Sequence, residues 1–267
     1  MLTVSAKALH NAIVRFKSED FVGLGTSSWE GSLAVSGTEG RLWLETRGRQ
    51  TSACVPLSAE GDGVEGILLS HRMFRSLTRI LSQGGEAQIS SADTVLTVVV
   101  GPHRFRFSGT RLDANLLNVN APKEIPSSFV VESKAWIDAV SWVLRAAATD
   151  ENRYGLSVVR LEPEGANQAR LVTTDGSRLH TACVPVCGQV PTCNLGRSFM
   201  VTQVAHLAGA HGALVVAIPA GSLVDAHAQV CFGRDGLPTR LTGRLLTLDF
   251  PAWRQVLPQV YTWHRDL

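Results

Sequence analysis

RLWLETRGRQTSACVPL at residues 41–57 and RLVTTDGSRLHTACVPV at residues 170–186 are two versions of one pattern. Laid together without a gap, Arg41, Leu42, Arg49, Ala53, Cys54, Val55 and Pro56 fall on Arg170, Leu171, Arg178, Ala182, Cys183, Val184 and Pro185, an offset of 129 residues. Upstream, SAKALHNAI (5–13) is similar to ESKAWIDAV (132–140). Downstream, RFSGTRLDANL (106–116) is similar to RLTGRLLTLDFPAW (240–253), with a small insertion. Three related blocks in the same order predict a duplicated domain. The expected organisation is a first domain over 1–122, a linker over 123–128, a second domain over 129–258 and a tail over 259–267.

Each half follows the same grammar: a short strand, a helix, three strands, another strand, a second helix and three more strands. Helical periodicity puts Ala6, Leu9, Ile13 and Phe16 on one face of the first helix, and Met73, Leu77 and Ile80, with Phe74 and Leu81, on the second. Ile137, Val140 and Leu144 mark the third helix, and Val201, Val204, Ala205 and Ala208 mark the fourth more weakly. Ser5, Ser70, Ser133 and Thr202 stand where N-caps are expected. Residues 94–100 and 103–108 alternate as strands do. Antiparallel runs with two helices per half predict an α+β fold, two tandem domains with their helices on one face of the sheets. A doubly wound fold needs helices between most strands, and the pattern has none there.

Composition narrows the class. The 267 residues are 45% hydrophobic and 18% charged, which excludes disorder for most of the chain. No run approaches the ~20 apolar residues of a membrane span, and MLTVSAKALHNAI lacks a basic-then-apolar leader. Five cysteines, an odd number, read as free thiols of a reducing compartment, so a cytoplasmic protein is expected. His180, Cys183, Cys187 and Cys193 look superficially metal-like but lack CxxC pairing, and no metal or other cofactor is expected.

Catalytic motifs are missing. Gly61-Asp62-Gly63-Val64-Glu65-Gly66 satisfies GxGxxG as a string, yet a strand follows it instead of a helix, and Asp62 and Glu65 would repel a pyrophosphate. It reads as an acidic turn. There is no GxSxG, HExxH or P-loop, and His206 and His211 are five apart, off the spacing of two helical ligands. A non-enzymatic protein is expected.

The bases are better placed than the net charge of +2 implies. Arg72, Arg75 and Arg79 recur at i, i+3 and i+7 on the second helix; Lys134 and Arg145 share a line on the third, which Asp138 interrupts; Lys7, with Arg15 and Lys17 near the end, marks the first; and the fourth offers only Gln203 and His206. Any amphipathic helix has a charged, solvated face. Here three of four equivalent helices lean positive, and such a surface can hold a phosphate backbone without reading bases.

Ala147–Pro185, AATDENRYGLSVVRLEPEG…ARLVTTDGSRLHTACVP, resembles the bacterial DNA polymerase III β subunit, the sliding clamp, at the start of its middle domain. DFPAWRQVLP (249–258) is similar to the segment that ends that domain, and residues 1–120 are similar to the first domain at the level of pattern. The resemblance implies a ring around double-stranded DNA, helices inside and sheets outside, that tethers a DNA polymerase or another replication or repair protein. It places a partner-peptide pocket on Leu156, Thr174, Gly176, Ser177, Arg178, Leu179, Pro251, Gln255 and Val256, and a DNA-touching loop on Arg153 and Tyr154. Ser177 and Gln255 stand where the family usually has His and Arg. The family chain has three such domains and this one shows two, so a six-domain ring is expected from a homotrimer. The rival expectation is a non-encircling adaptor that keeps the fold and binds replication or repair proteins.

Overall fold

Alternation of buried and exposed residues decides the strands. The computed structural model describes residues 1–16, 32–38, 40–47, 51–112, 129–149, 155–219, 227–234 and 237–257. The first half comprises β1 (Leu2–Ser5), α1 (Ala6–Arg15), β2 (Ser32–Thr38), β3 (Arg41–Arg47), β4 (Thr51–Ser58), β5 (Glu60–Gly61), β6 (Val64–Ser70), α2 (His71–Arg75), α3 (Thr78–Leu81), β7 (Glu86–Ala92), β8 (Val95–Val100), β9 (His103–Ser108) and β10 (Thr110–Arg111). The second comprises β11 (Phe129–Glu132), α4 (Ser133–Val143), β12 (Val158–Pro163), β13 (Gln168–Thr174), β14 (Leu179–Gly188), β15 (Cys193–Gly196), α5 (Arg197–Leu207), β16 (Ala213–Ala217), β17 (His227–Arg234) and β18 (Leu237–Arg244). Apart from the two-residue β5 and β10, this is the order read from the sequence. Of the Gly61–Gly66 string only Asp62 and Gly63 form the turn between β5 and β6; Gly61 ends β5 and Val64–Gly66 begin β6. The expected linker and tail lie outside the described residues; Leu112 and Phe129, the described residues nearest the linker on either side, are both buried.

Every pairing among the described strands is antiparallel. One sheet runs β5-β1-β7-β8-β9; the other runs β10-β6-β2-β3-β4-β18-β17-β16-β11-β14-β13-β12-β15 and crosses from one half to the other at β4·β18. The hairpin registers also correct the repeat. β3–β4 closes with Arg47 opposite Ser52, and β13–β14 closes with Thr174 opposite Leu179, so the structural offset is 127 residues rather than 129. A slide of two residues keeps every side chain on its own face, which is why the ungapped match looks sound.

The helices show where periodicity suffices. On α1, Ala6, Leu9 and Ile13 are buried, continuing to Phe16, and the Ser5 hydroxyl caps the helix by accepting from Ala8 N at 3.4 Å. The second helical segment breaks into α2 and α3, and its buried stripe is Phe74, Leu77 and Leu81. Met73, expected inside, is 47% exposed, and Ile80 is half-buried. Phe74 turns inward because its ring meets the edge of Phe107 on β9 at 5.7 Å. At the break two hydroxyls donate back to the helix, Ser76 to Met73 O and Thr78 to Arg75 O, at 2.6 and 2.8 Å, and Ser82 does the same to Arg79 O where α3 ends.

Of the remaining expected caps one holds its place and two move. Ser70 is an N-cap without a side-chain bond. α4 is capped by Glu132, whose carboxylate accepts from Lys134 N and Ala135 N, while Ser133 donates to Gly212 O. α5 starts after Gly196, leaving Thr202 buried within it. Its core face is Phe199, Met200, Thr202, Gln203, His206 and Leu207; Val201, Val204 and Ala205 are half-buried and Ala208 is exposed. Phe199 packs flat on Gly243 of β18, where an added Cβ would stand 2.1 Å from the ring. One continuous apolar core spans both halves.

Candidate nucleic-acid interface

On α2–α3 the turn of the helix carries Arg72, Arg75 and Arg79 away from the Phe74/Leu77/Leu81 stripe, and all three are exposed. Among the described residues none of the three is ion-paired to a carboxylate. Lys7 is exposed on α1 and Arg15 is half-buried at its end, whereas Lys17 lies outside the described residues. Lys134 is exposed but ion-paired to Asp138 one turn on, which raises its pKa and answers its charge locally. Arg145 is exposed, its guanidinium 5.5 Å from the centre of the Trp142 ring. Trp142 in turn stacks on His180 of β14 at 4.6 Å, and its carbonyl lies 3.0 Å from His180 Nδ1. Gln203 and His206, read as the polar face of the fourth helix, are buried; the Trp136 indole N–H donates to Gln203 Oε1 at 2.8 Å. The loop residues Arg153 and Tyr154 lie outside the described residues.

The turn after β13 is tightly bonded. Thr174 Oγ1 accepts from Gly176 N, and the Asp175 carboxylate accepts from Ser177 N, Arg178 N and two nitrogens of the Arg178 guanidinium. The Arg178 pair, followed by those backbone N–H groups, holds the Asp175 carboxyl far below its ordinary range. Gly176 has φ +93°, and a Cβ there would touch Leu156 Cδ1 at 3.8 Å. Leu156 and the 174–179 turn therefore come together. Pro251 and Gln255 line a cavity of about 320 Å³ with Arg160, Glu162, Trp253 and Arg254, a lining that includes none of the 174–179 residues; the Val256 side chain lies outside the described residues. A second cavity, about 300 Å³, is lined by Leu144, Arg145, Thr149, Asp175 and Arg178, among others, and brings Arg145 and Arg178 onto one surface.

Sequence reasoning missed one network. Glu162 pairs with Arg160 at 3.2 Å and Arg254 at 2.6 Å, Glu164 pairs with Arg170, and Arg170 and Arg254 both lie over the Trp253 ring. Burial alone would raise the Glu162 pKa; hydrogen bonds from Arg254 and Arg160 outweigh it and hold the carboxyl below its ordinary value. The network fastens residues 253–254 to β12 and β13. Among the described residues no three metal-ligating side chains cluster, and burial pushes the Cys193 thiol up to about 12. No described helix is long and apolar enough to cross a membrane.

No protein-family model matches the chain. The β sliding clamp of Micrococcus luteus is 25% identical over 231 residues, 85% of this chain and 70% of that protein. The DNA polymerase III β subunit of Thermotoga maritima superposes with a TM-score of 0.78 at 18% identity, over 98% of this chain and 69% of that one. The Pseudomonas aeruginosa sliding clamp bound to griselimycin gives 0.78 at 20%, over 97% and 68%. The fold is that of the DNA sliding clamps, two tandem α+β domains. Sequence and structure together place the likeness with the β subunit family of bacterial DNA polymerase III.

Proposed function

We propose that this chain is a non-enzymatic ring subunit that encircles duplex DNA in the cytoplasm and tethers a polymerase or another DNA enzyme to its template. The observation that carries the reading is the pair of strand edges left open. β9 ends its sheet, and residues 179–185 of β14 pair only with β13 among the described residues. By the internal repeat β9 is the equivalent of β18, and β14 of β4, the two strands whose pairing joins the halves. A chain with one such joint inside and the two matching edges outside is built to continue head to tail, and open edges of this kind are otherwise an aggregation hazard. Head-to-tail contacts that close by rotation make rings; three two-domain chains give six domains.

Arg72, Arg75 and Arg79, with Lys7, Arg15, Lys17, Lys134, Arg145, Arg153 and Tyr154, form the proposed DNA-facing set. The exposed guanidinium groups of Arg72, Arg75 and Arg79 suit salt-sensitive contacts that slide. Leu156 and the 174–179 turn, with Pro251, Gln255 and Val256, form the proposed partner pocket. Light scattering over a concentration series tests the assembly: a stable species near three times 28.7 kDa that stays on circular DNA and runs off linear DNA is expected. A monomer at every concentration overturns the ring and favours a non-encircling adaptor. That second reading draws support from α5, whose half-buried outer residues Val201, Val204 and Ala205 carry no charge.

A further inference from the structure

We propose that copies of this chain join in a specified strand register: Arg106 of one copy lies opposite Thr181 of the next, and Arg104 lies opposite Cys183. The proposal rests on the ring reading and gives it residue-level content. β4 maps onto β14 by the 127-residue offset of the hairpins that end at Ser52 and Leu179. β8–β9 closes with Val100 opposite His103, and β17–β18 closes with Arg234 opposite Leu237, so β18 maps onto β9 at an offset of 134. Inside the chain, β4 and β18 pair from Cys54 opposite Arg240 to Thr51 opposite Gly243. Transferred to the open edges, Thr181 takes the place of Cys54 and Arg106 that of Arg240.

The faces agree. Half-buried Arg240 is flanked by buried Thr239 and Leu241, and exposed Arg106 by half-buried Phe105 and buried Phe107, so in each strand the arginine alternates with more deeply buried neighbours. The internal ladder stops at Cys54 and Arg240; two residues further on the strands carry Pro56 and Pro238, which have no N–H to give. Their equivalents on the open edges are Cys183 and Arg104, which keep theirs. β11 claims the β14 edge only from Val186 onward. The ladder between copies therefore runs on through the Cys183–Arg104 pair.

The helices above the edges fit the same arrangement. Over the internal joint, Phe16 after α1 meets His206 of α5 edge to face at 5.0 Å. Repeating the joint sets α4 of one copy against α2–α3 of the next. Those elements carry Trp142, 46% exposed beside His180 of β14, and Met73, 47% exposed one residue from the Phe74–Phe107 contact on β9. They are two of the four large apolar side chains exposed among the described residues, and one contact covers both.

Directly opposed antiparallel residues have Cα atoms about 4.5–5.5 Å apart, within disulfide reach. The test is Arg104→Cys in the full chain with native Cys183, under mild oxidation. The expected result is disulfide-linked dimers and trimers on a non-reducing gel, absent from the unsubstituted protein and from R104C/C183S. Arg106→Cys is the competitor. Cross-linking to Cys183 there, and not in R104C, overturns this register in favour of one slid by two residues. A trimeric R104C protein that forms no cross-link overturns the register and leaves the ring standing. A monomer under reducing conditions overturns both.

Discussion

α2–α3 and α5 occupy the same place in the repeat, between a strand of the long sheet and the three-strand meander that follows, and they are built inside out relative to each other. α2–α3 buries Phe74, Leu77 and Leu81 and shows Arg72, Arg75 and Arg79. α5 buries Thr202, Gln203 and His206 and shows Val201, Val204 and Ala205 only partly. The difference follows partly from position. α5 rests on α4 of its own half, where Trp136 donates to Gln203, and it also lies against β4 and the end of α1 of the other half, where Phe16 offers its ring to His206. α2–α3 sits at the open end and has only its own half beneath it. Duplication preserved the sheet registers, where a slip of one residue would turn a whole strand inside out, and left helix polarity free to diverge.

The comparison can be broken most severely at Trp136. Trp136→Ala removes a fully buried ring and strands Gln203, and is expected to cost about 4 kcal/mol in a denaturant melt. A loss below about 1 kcal/mol would mean that the polar seam of α5 is not held from α4. The chemistry of that seam is sharpened by a cycle. Trp136→Phe and Gln203→Leu are each expected to cost roughly 1–3 kcal/mol because each orphans its partner, and the double variant is expected to recover part of the sum.

On the charged side, replacing Arg72, Arg75 and Arg79 together with Ala is expected to flatten the log K against log salt slope for DNA by up to roughly 2.7, with the melting transition unchanged. An unchanged slope would reduce the arginines to a solvated face. Adding charge to α5 by Val201→Arg with Val204→Arg is expected to steepen the slope by up to about 1.8, if α5 and α2–α3 line one surface. The smallest effect is at the break. Ser76→Ala removes one back-donated bond and is expected to change stability by only a few tenths of a kcal/mol, with a slight gain in helix signal by circular dichroism.

The grammar of the fold was legible because strand alternation and the Leu9–Ile13–Phe16 stripe are local signals. Two helical stripes at 73/77/80 and 74/77/81 share Leu77 and differ by one position, and periodicity alone cannot choose between them. The choice was made by Phe107, thirty-three residues away on β9. α5 defeated the pattern because its buried face is partly polar and no capping residue announces its start after Gly196. The arginines of α2–α3 could be read from spacing alone. The Glu162–Arg254 pair spans ninety-two residues of sequence, and no spacing rule connects its ends.

The β4·β18 ladder has a mechanical consequence. Four opposed residue pairs tie the halves edge to edge within one thirteen-stranded sheet, and Phe199 on Gly243 wedges a ring against that seam. Bending one half against the other must shear backbone hydrogen bonds lying side by side, so they resist together instead of parting one at a time. The two halves thus move as one stiff body across that seam.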